Sequence, residues 1–105
     1  MIKGKVLIII SKYYENISEN LLKSALTFLE DNHILFDIVE VPGALEIPQA
    51  LNLQINFSKK TGISYEGYIA LGCVIKGETY HFEIVSNETN KGLMDVALKQ
   101  SVPLG

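Results

Sequence analysis

Lys5-Val-Leu-Ile-Ile-Ile-Ser11 is the stretch on which the fold turns. It is apolar at nearly every position and rich in β-branched residues, whereas a strand with one wet face alternates between apolar and polar. Such a run predicts a strand covered on both faces, the central strand of a parallel sheet. Its purely apolar part, Val6 to Ile10, spans five residues, far below the roughly 20 that a membrane helix needs.

Working outward, Leu21, Leu22, Ala25, Leu26 and Leu29 recur at helical spacing between Ser18 and Asp31. An amphipathic helix is expected there, with Asn16 or Ser18 as its N-cap. Phe36 to Val41 alternates into a second strand that Pro42-Gly43 ends, and Pro48 suits the first turn of a helix running to about Phe57. The polar composition from Ser58 to Glu66 predicts a surface loop carrying Lys59 and Lys60. Tyr68 to Ile75 reads as a third buried strand holding Cys73 as a small core residue, and Lys76 to Tyr80 as a short loop. A third helix follows from Phe82, with Val85, Thr89, Gly92, Leu93, Val96 and Ala97 on one face. Val102-Pro103 either closes that helix or opens a fourth strand. Three strand–helix pairs in succession predict an α/β domain of three layers with a parallel sheet and helices on both faces.

Composition narrows the classes. A chain of 105 residues, 48% hydrophobic and 20% charged, is in the range of one soluble globular domain. Its formal charge of -3 offers no field for nucleic acid or an anionic membrane surface. The one cysteine excludes an intramolecular disulfide, and residues 1–10 carry no signal-peptide pattern, so a cytoplasmic protein is expected.

In an open α/β sheet the ligand crevice lies beyond the carboxyl ends of the strands. Three segments fall there. Ser11 to Ile17 carries Tyr13 and Tyr14, flat side chains suited to stacking on a planar heterocycle or simply exposed. Val41 to Pro48 carries Glu46, a carboxylate that either accepts hydrogen bonds from a polyol or serves the next helix N-terminus. Val74 to His81 carries Gly77-Glu78-Thr79 ahead of a helix whose unpaired N–H groups suit an anion such as phosphate, although glycine before a helix is also ordinary turn chemistry. His81 has the titration range for proton transfer there or is a capping, solvent-facing residue; Lys76 either adds charge or is solvated. His33, at a helix end before a strand, is assigned a structural role.

Two longer stretches carry a resemblance. Val41-Pro-Gly-Ala-Leu-Glu-Ile-Pro48 and Ala70-Leu-Gly-Cys-Val-Ile-Lys-Gly-Glu-Thr-Tyr-His-Phe-Glu83 resemble the two signatures of lumazine synthases, with Asn87-Glu88, Lys91-Gly92 and Asn16-Ile17-Ser18 continuing the match. The resemblance covers essentially the whole chain. It implies a flavodoxin-like sheet and the condensation of 3,4-dihydroxy-2-butanone 4-phosphate with 5-amino-6-ribitylamino-2,4-pyrimidinedione, without metal or organic cofactor. It also implies self-association into pentamers or larger shells, with sites between neighbouring subunits. Carried over by position, Tyr13 stacks on the pyrimidinedione, while Ala44, Leu45 and Glu46 meet the ring and its ribityl chain. Val74 and Ile75 meet the heterocycle through their backbone, Lys76, Gly77, Glu78 and Thr79 receive the phosphate, and His81 transfers protons.

The chain departs from the family pattern at Tyr13, where phenylalanine is usual, at Leu45, where an aromatic is common, and at Lys76, a frequent arginine. By the same comparison residues 1–105 form one incomplete domain, without the family's last strand and helices, the neighbouring subunit's aromatic and a phosphate-gripping arginine. An unpaired sheet edge is then expected, and two functions remain open: an active synthase, or an impaired member serving as an assembly or ligand-binding protein. A flavodoxin or receiver domain is disfavoured, because Ile10-Ser-Lys-Tyr-Tyr14 has neither a hydroxyl-rich phosphate loop nor an acidic cluster.

Overall fold

In the computed structural model, which describes residues 5–77 and 81–105, the elements are β1 (Lys5–Ser11), α1 (Glu15–Asp31), β2 (Leu35–Val41), a single 3₁₀ turn (Ala44–Glu46), α2 (Ile47–Thr61), β3 (Tyr65–Leu71) and α3 (His81–Gln100). The strands form a parallel sheet in the order β2-β1-β3, with Ile8 opposite Ile38 on one side and Ile69 on the other. Both edges of β1 are thus hydrogen-bonded and both faces covered, which is why its sequence does not alternate. Leu7, Ile8, Ile9 and Ile10 are each at most 1% exposed, and burying each contributes roughly 1.5–3 kcal/mol.

Successive side chains of β1 feed opposite layers. Ile8 and Ile10 pack with Leu22 and Leu29 of α1. Leu7 and Ile9 pack with Ile47, Leu51 and Ile55 of α2, against which Leu93 and Val96 of α3 also rest. The expected three layers are present, with α1 on one face and α2 and α3 on the other.

Several boundaries differ from expectation. α1 begins at Glu15, and its cap position is Tyr14, which makes no side-chain capping bond. Neither Asn16 nor Ser18 is the cap. Ser18 is buried inside the helix and donates its hydroxyl to the Ser11 carbonyl at 2.8 Å, tying the helix to the end of β1. α2 runs on through Lys59 and Lys60, which were expected in a loop, and stops at Gly62, whose φ of 76° lies in the left-handed region. Lysine is a good helix former and its charge favours a helix C-terminus, so polarity there did not mean irregularity. His33 also has a positive φ, 56°, and its N–H meets the Glu30 carbonyl in the turn after α1, in keeping with the structural role assigned to it.

The third strand is displaced toward the N-terminus. It spans Tyr65–Leu71 rather than Tyr68 to Ile75, and Cys73 lies past its end as a partly buried free thiol instead of a core strand residue. The cause is pairing: Leu71 sits opposite Ile10, one residue from the end of β1, so the ladder has no partner for Val74 or Ile75. Beyond α3, the chain returns along the outer edge of β3. The Tyr68 and Ala70 N–H groups donate to the carbonyls of Pro103 and Gly105, and the Gly105 N–H donates to the Tyr68 carbonyl. Residues 103–105 therefore pair in parallel with the outer edge of β3, and this part of that edge is paired rather than open.

At the amino ends of the strands, Tyr65 donates its hydroxyl to Asp37 Oδ2 at 2.7 Å and Lys5 Nζ lies 3.4 Å from the same oxygen, linking all three strands. The Tyr65 hydrogen bond, with help from Lys5, holds the Asp37 carboxyl below the usual range. Burial, and then the Asp37 carboxylate, push the Tyr65 phenol up to about 12. α3 is fastened to α2 by Gln100, whose amide donates to Asn52 and Asn56 and accepts from Lys59.

Candidate functional site

Because the three strands are parallel, the segments after all of them emerge at one end of the sheet. Tyr13 and Tyr14 follow β1, the 3₁₀ turn of Ala44–Glu46 follows β2, Val74 and Ile75 follow β3, and His81 opens α3. They border one cleft of about 260 Å³, lined by Tyr13, Tyr14, Gly43, Ala44, Leu45, Glu46, Val74, Ile75, His81 and Val85.

The walls are mostly apolar with a few polar tips, the usual make-up of a site for a small heterocycle. Tyr13 is 72% exposed and meets Tyr14 edge to face, with centroids 5.0 Å apart and planes at 80°. With most of its surface open to solvent, the ring is available to a planar partner. Leu45 and Ile75 are also about half exposed at the mouth, so a bound ring removes apolar surface already facing water.

Glu46 stands at the residue before α2 and makes no side-chain capping bond, so its carboxylate is not taken up by the N–H groups of that helix. Its carboxylate folds back over Gly43, where a Cβ would lie 2.9 Å from Oε1. The absence of a side chain at residue 43 is what makes room for it. Pro48, two residues on, fits against Gly92, where a Cβ would lie 2.9 Å from two ring carbons of the proline. That contact limits how closely the middle of α3 approaches the first turn of α2, two residues past Glu46.

Alongside lies a second chamber of about 170 Å³ that shares Ala44 and Val74 with the first and is lined by Gly72, Ser86, Thr89 and Asn90 among others. Thr89 Oγ1 is buried there without a hydrogen-bond partner among the described residues.

Of the residues expected from sequence, Tyr13, Ala44, Leu45, Glu46, Val74, Ile75 and His81 come together on the cleft. Lys76 and Gly77 are exposed beside it and do not line it, and nothing lies within 4 Å of a Cβ placed at Gly77. Glu78 and Thr79 lie outside the described residues. Tyr14 was singled out for stacking only as a companion of Tyr13, while Gly43 was read as a turn and Val85 as a packing residue. The signal for Val85 was its place four residues after His81, which puts both on one helical face. Among the described residues no three His, Cys, Asp or Glu side chains are grouped to hold a metal ion, and no helix is long and apolar enough to cross a membrane.

Residues 3–105 match the family model described as 6,7-dimethyl-8-ribityllumazine synthase. Curated relatives carrying that name include one from Agrobacterium fabrum, 44% identical over all of this chain and 71% of the relative. The relative from Afipia carboxidovorans is 48% identical over 97% of this chain and 63% of its own length. That from Bartonella tribocorum is 48% identical over 98% of this chain and 66% of its own length. The chain thus spans between 63 and 71% of the length of these relatives. With two signature stretches on one cleft, a three-layer parallel sheet and a family match running from residue 3 to residue 105, the chain belongs to the 6,7-dimethyl-8-ribityllumazine synthase family.

Proposed function

We propose that the cleft performs the family's condensation, joining 3,4-dihydroxy-2-butanone 4-phosphate to 5-amino-6-ribitylamino-2,4-pyrimidinedione to form 6,7-dimethyl-8-ribityllumazine. The observation that supports it is the meeting of the exposed Tyr13 ring, the Glu46 carboxylate and the His81 imidazole on a single 260 Å³ cleft. In this reading Tyr13, Leu45 and Ile75 cover the pyrimidinedione, and Glu46 accepts hydrogen bonds from the ribityl hydroxyls. The butanone phosphate occupies the approach to α3, with Lys76, Gly77, Glu78 and Thr79 as its receivers and the open space around Gly77 as its room.

The 5-amino group attacks the ketone and water leaves, giving an imine. Loss of a proton from the carbon beside the imine then expels phosphate, the resulting enol becomes a ketone, and the ribitylamino nitrogen closes the second ring on that carbonyl with loss of water. His81 accepts and returns the protons. Holding two substrates in register supplies most of such a rate, with acid–base help from one imidazole. No metal or organic cofactor takes part.

The reading extends to assembly in the cytoplasm. Leu53 and Phe57 of α2 and Met94 and Leu98 of α3 are each more than half exposed, apolar surface of the kind a second subunit covers. Pentamers, or larger shells built from them, are the proposed form, and light scattering on the purified chain measures it directly. For the activity, the chain is incubated with both substrates and lumazine absorbance followed. Product in the wild type, sharply reduced in His81→Ala with pyrimidinedione binding retained, is the expected result. Binding without any product would make the chain a ligand-binding or assembly member of the family instead.

A further inference from the structure

The β1–α1 turn that presents Tyr13 is only three residues long, Lys12 to Tyr14. The helix it enters has no capping side chain, and the Tyr13 ring, 72% exposed, has its aromatic contact within the same turn, on Tyr14. The turn is fixed by two tethers, one on the strand residue before it and one on its first residue. Ser11 is anchored by the Ser18 hydroxyl in a buried bond of 2.8 Å. Lys12 places its ammonium between two carboxylates from different elements, 3.1 Å from Glu19 Oε1 of α1 and 3.4 Å from Glu40 Oε2 of β2. Its side chain is 27% exposed, against 60% and 59% for the two glutamates, so the lysine is the enclosed member of the trio. It is also the one residue of the turn with an ionic link to both neighbouring elements.

We infer that Lys12 is a positioning residue for the heterocycle: by clamping the β1–α1 turn to α1 and β2, it holds the Tyr13 ring in the orientation that stacks on the ligand. This rests on the proposed function, because it concerns how the same cleft grips the pyrimidinedione. The clamp acts through Tyr13 and touches no substrate. Arginine at this position keeps the charge and the reach, and methionine keeps the length while removing the charge.

The test measures binding of 5-amino-6-ribitylamino-2,4-pyrimidinedione by titration calorimetry to wild type, Lys12→Met, Lys12→Arg, Tyr13→Ala and the Lys12→Met/Tyr13→Ala pair. Lys12→Met is expected to raise the dissociation constant roughly threefold to tenfold, the scale that two exposed ion pairs support. Lys12→Arg should restore most of the affinity, and in the Tyr13→Ala background Lys12→Met should change nothing further. Raising the salt should bring the wild type toward Lys12→Met, since exposed pairs are screened. If Lys12→Met does not fold, Glu19→Gln/Glu40→Gln takes its place, with the same loss expected. Wild-type affinity in Lys12→Met, or a loss that persists without Tyr13, overturns the clamp while leaving the cleft assignment standing. A wild type that does not bind the pyrimidinedione overturns both.

Discussion

Gly92→Ala puts the contact between α3 and the start of α2 under direct test. A methyl group there meets Pro48 Cβ and Cγ at 2.9 Å, whereas carbon atoms rest at about 3.5–4.0 Å. A separation of at least ~0.6 Å has to open, and the proline ring cannot rotate out of the way. Such overpacking costs typically about 1–3 kcal/mol. Against it, alanine in place of glycine inside a helix stabilises by about 0.8–1 kcal/mol. The net expectation is a loss of ~0–2 kcal/mol, read by urea denaturation at fixed protein concentration, because self-association makes apparent stability concentration-dependent. Pro48→Gly removes both contacting carbons, so in that background the same substitution should recover the helix gain and stabilise by about 1 kcal/mol. If Gly92→Ala stabilised the otherwise unaltered chain by the full propensity difference, the close approach of α3 to Pro48 would be refuted.

Three further outcomes follow from the same structure. Tyr65→Phe removes the hydrogen bond to Asp37 and should cost about 1 kcal/mol near neutral pH, the charged-acceptor value discounted for solvent exposure. The advantage of wild type should fade on acidification below the usual aspartate value of 3.8, because a depressed Asp37 stabilises only while ionised. It should fade again as pH rises from the ordinary tyrosine value of 10.0 through about 12, because a raised phenol stabilises only while protonated; parallel pH profiles for the two proteins check both. Ser18→Ala leaves the buried Ser11 carbonyl short of its donor and should cost roughly 1–3 kcal/mol in thermal or urea unfolding, without altering helix content by circular dichroism. Gly62→Ala forces a side chain into a φ of 76° with nothing near its Cβ, so it should lose about 1–2 kcal/mol from the backbone alone; an unchanged urea midpoint would mean α2 ends differently.

What could be read from the residues follows from which forces act locally. β1 was legible because burial on both faces leaves only apolar residues, and Lys5–Ser11 is the strand observed. The extent of β3 was not, because hydrogen bonding to β1 ends the strand at Leu71 although apolar residues continue to Ile75. Lys59 and Lys60 misled in the opposite sense: their polarity suggested a loop, while helix propensity and the Gly62 stop carried α2 through Thr61. Ser18 shows the limit of capping rules, since its hydroxyl serves a strand carbonyl seven residues earlier. At the cleft, the rule that ligands meet the carboxyl ends of parallel strands picked out three segments, and residues of all three line one cavity. It could not tell lining from neighbouring residues, so Lys76 and Gly77 stand aside while Gly43, Tyr14 and Val85 complete the wall.

The Tyr13 ring, the Glu46 carboxylate and the His81 imidazole come from segments some 30 residues apart, and no local interaction brings them together. Their meeting depends on the sheet order β2-β1-β3, which sets the loops after β2 and β3 on either side of the turn after β1. It depends equally on α2 and α3 sharing one face, with the Gly92–Pro48 contact holding the middle of α3 close to the first turn of α2, just past the 3₁₀ turn. The end of the sheet that holds the Lys5–Asp37–Tyr65 link carries none of the cleft. Loss of that link should therefore lower stability while ligand affinity in the folded fraction stays unchanged, whereas loosening α3 at Gly92 should weaken both together. A fall in affinity for Tyr65→Phe as large as that for Gly92→Ala would mean the two ends of the sheet are mechanically coupled, with no separation of scaffold from site.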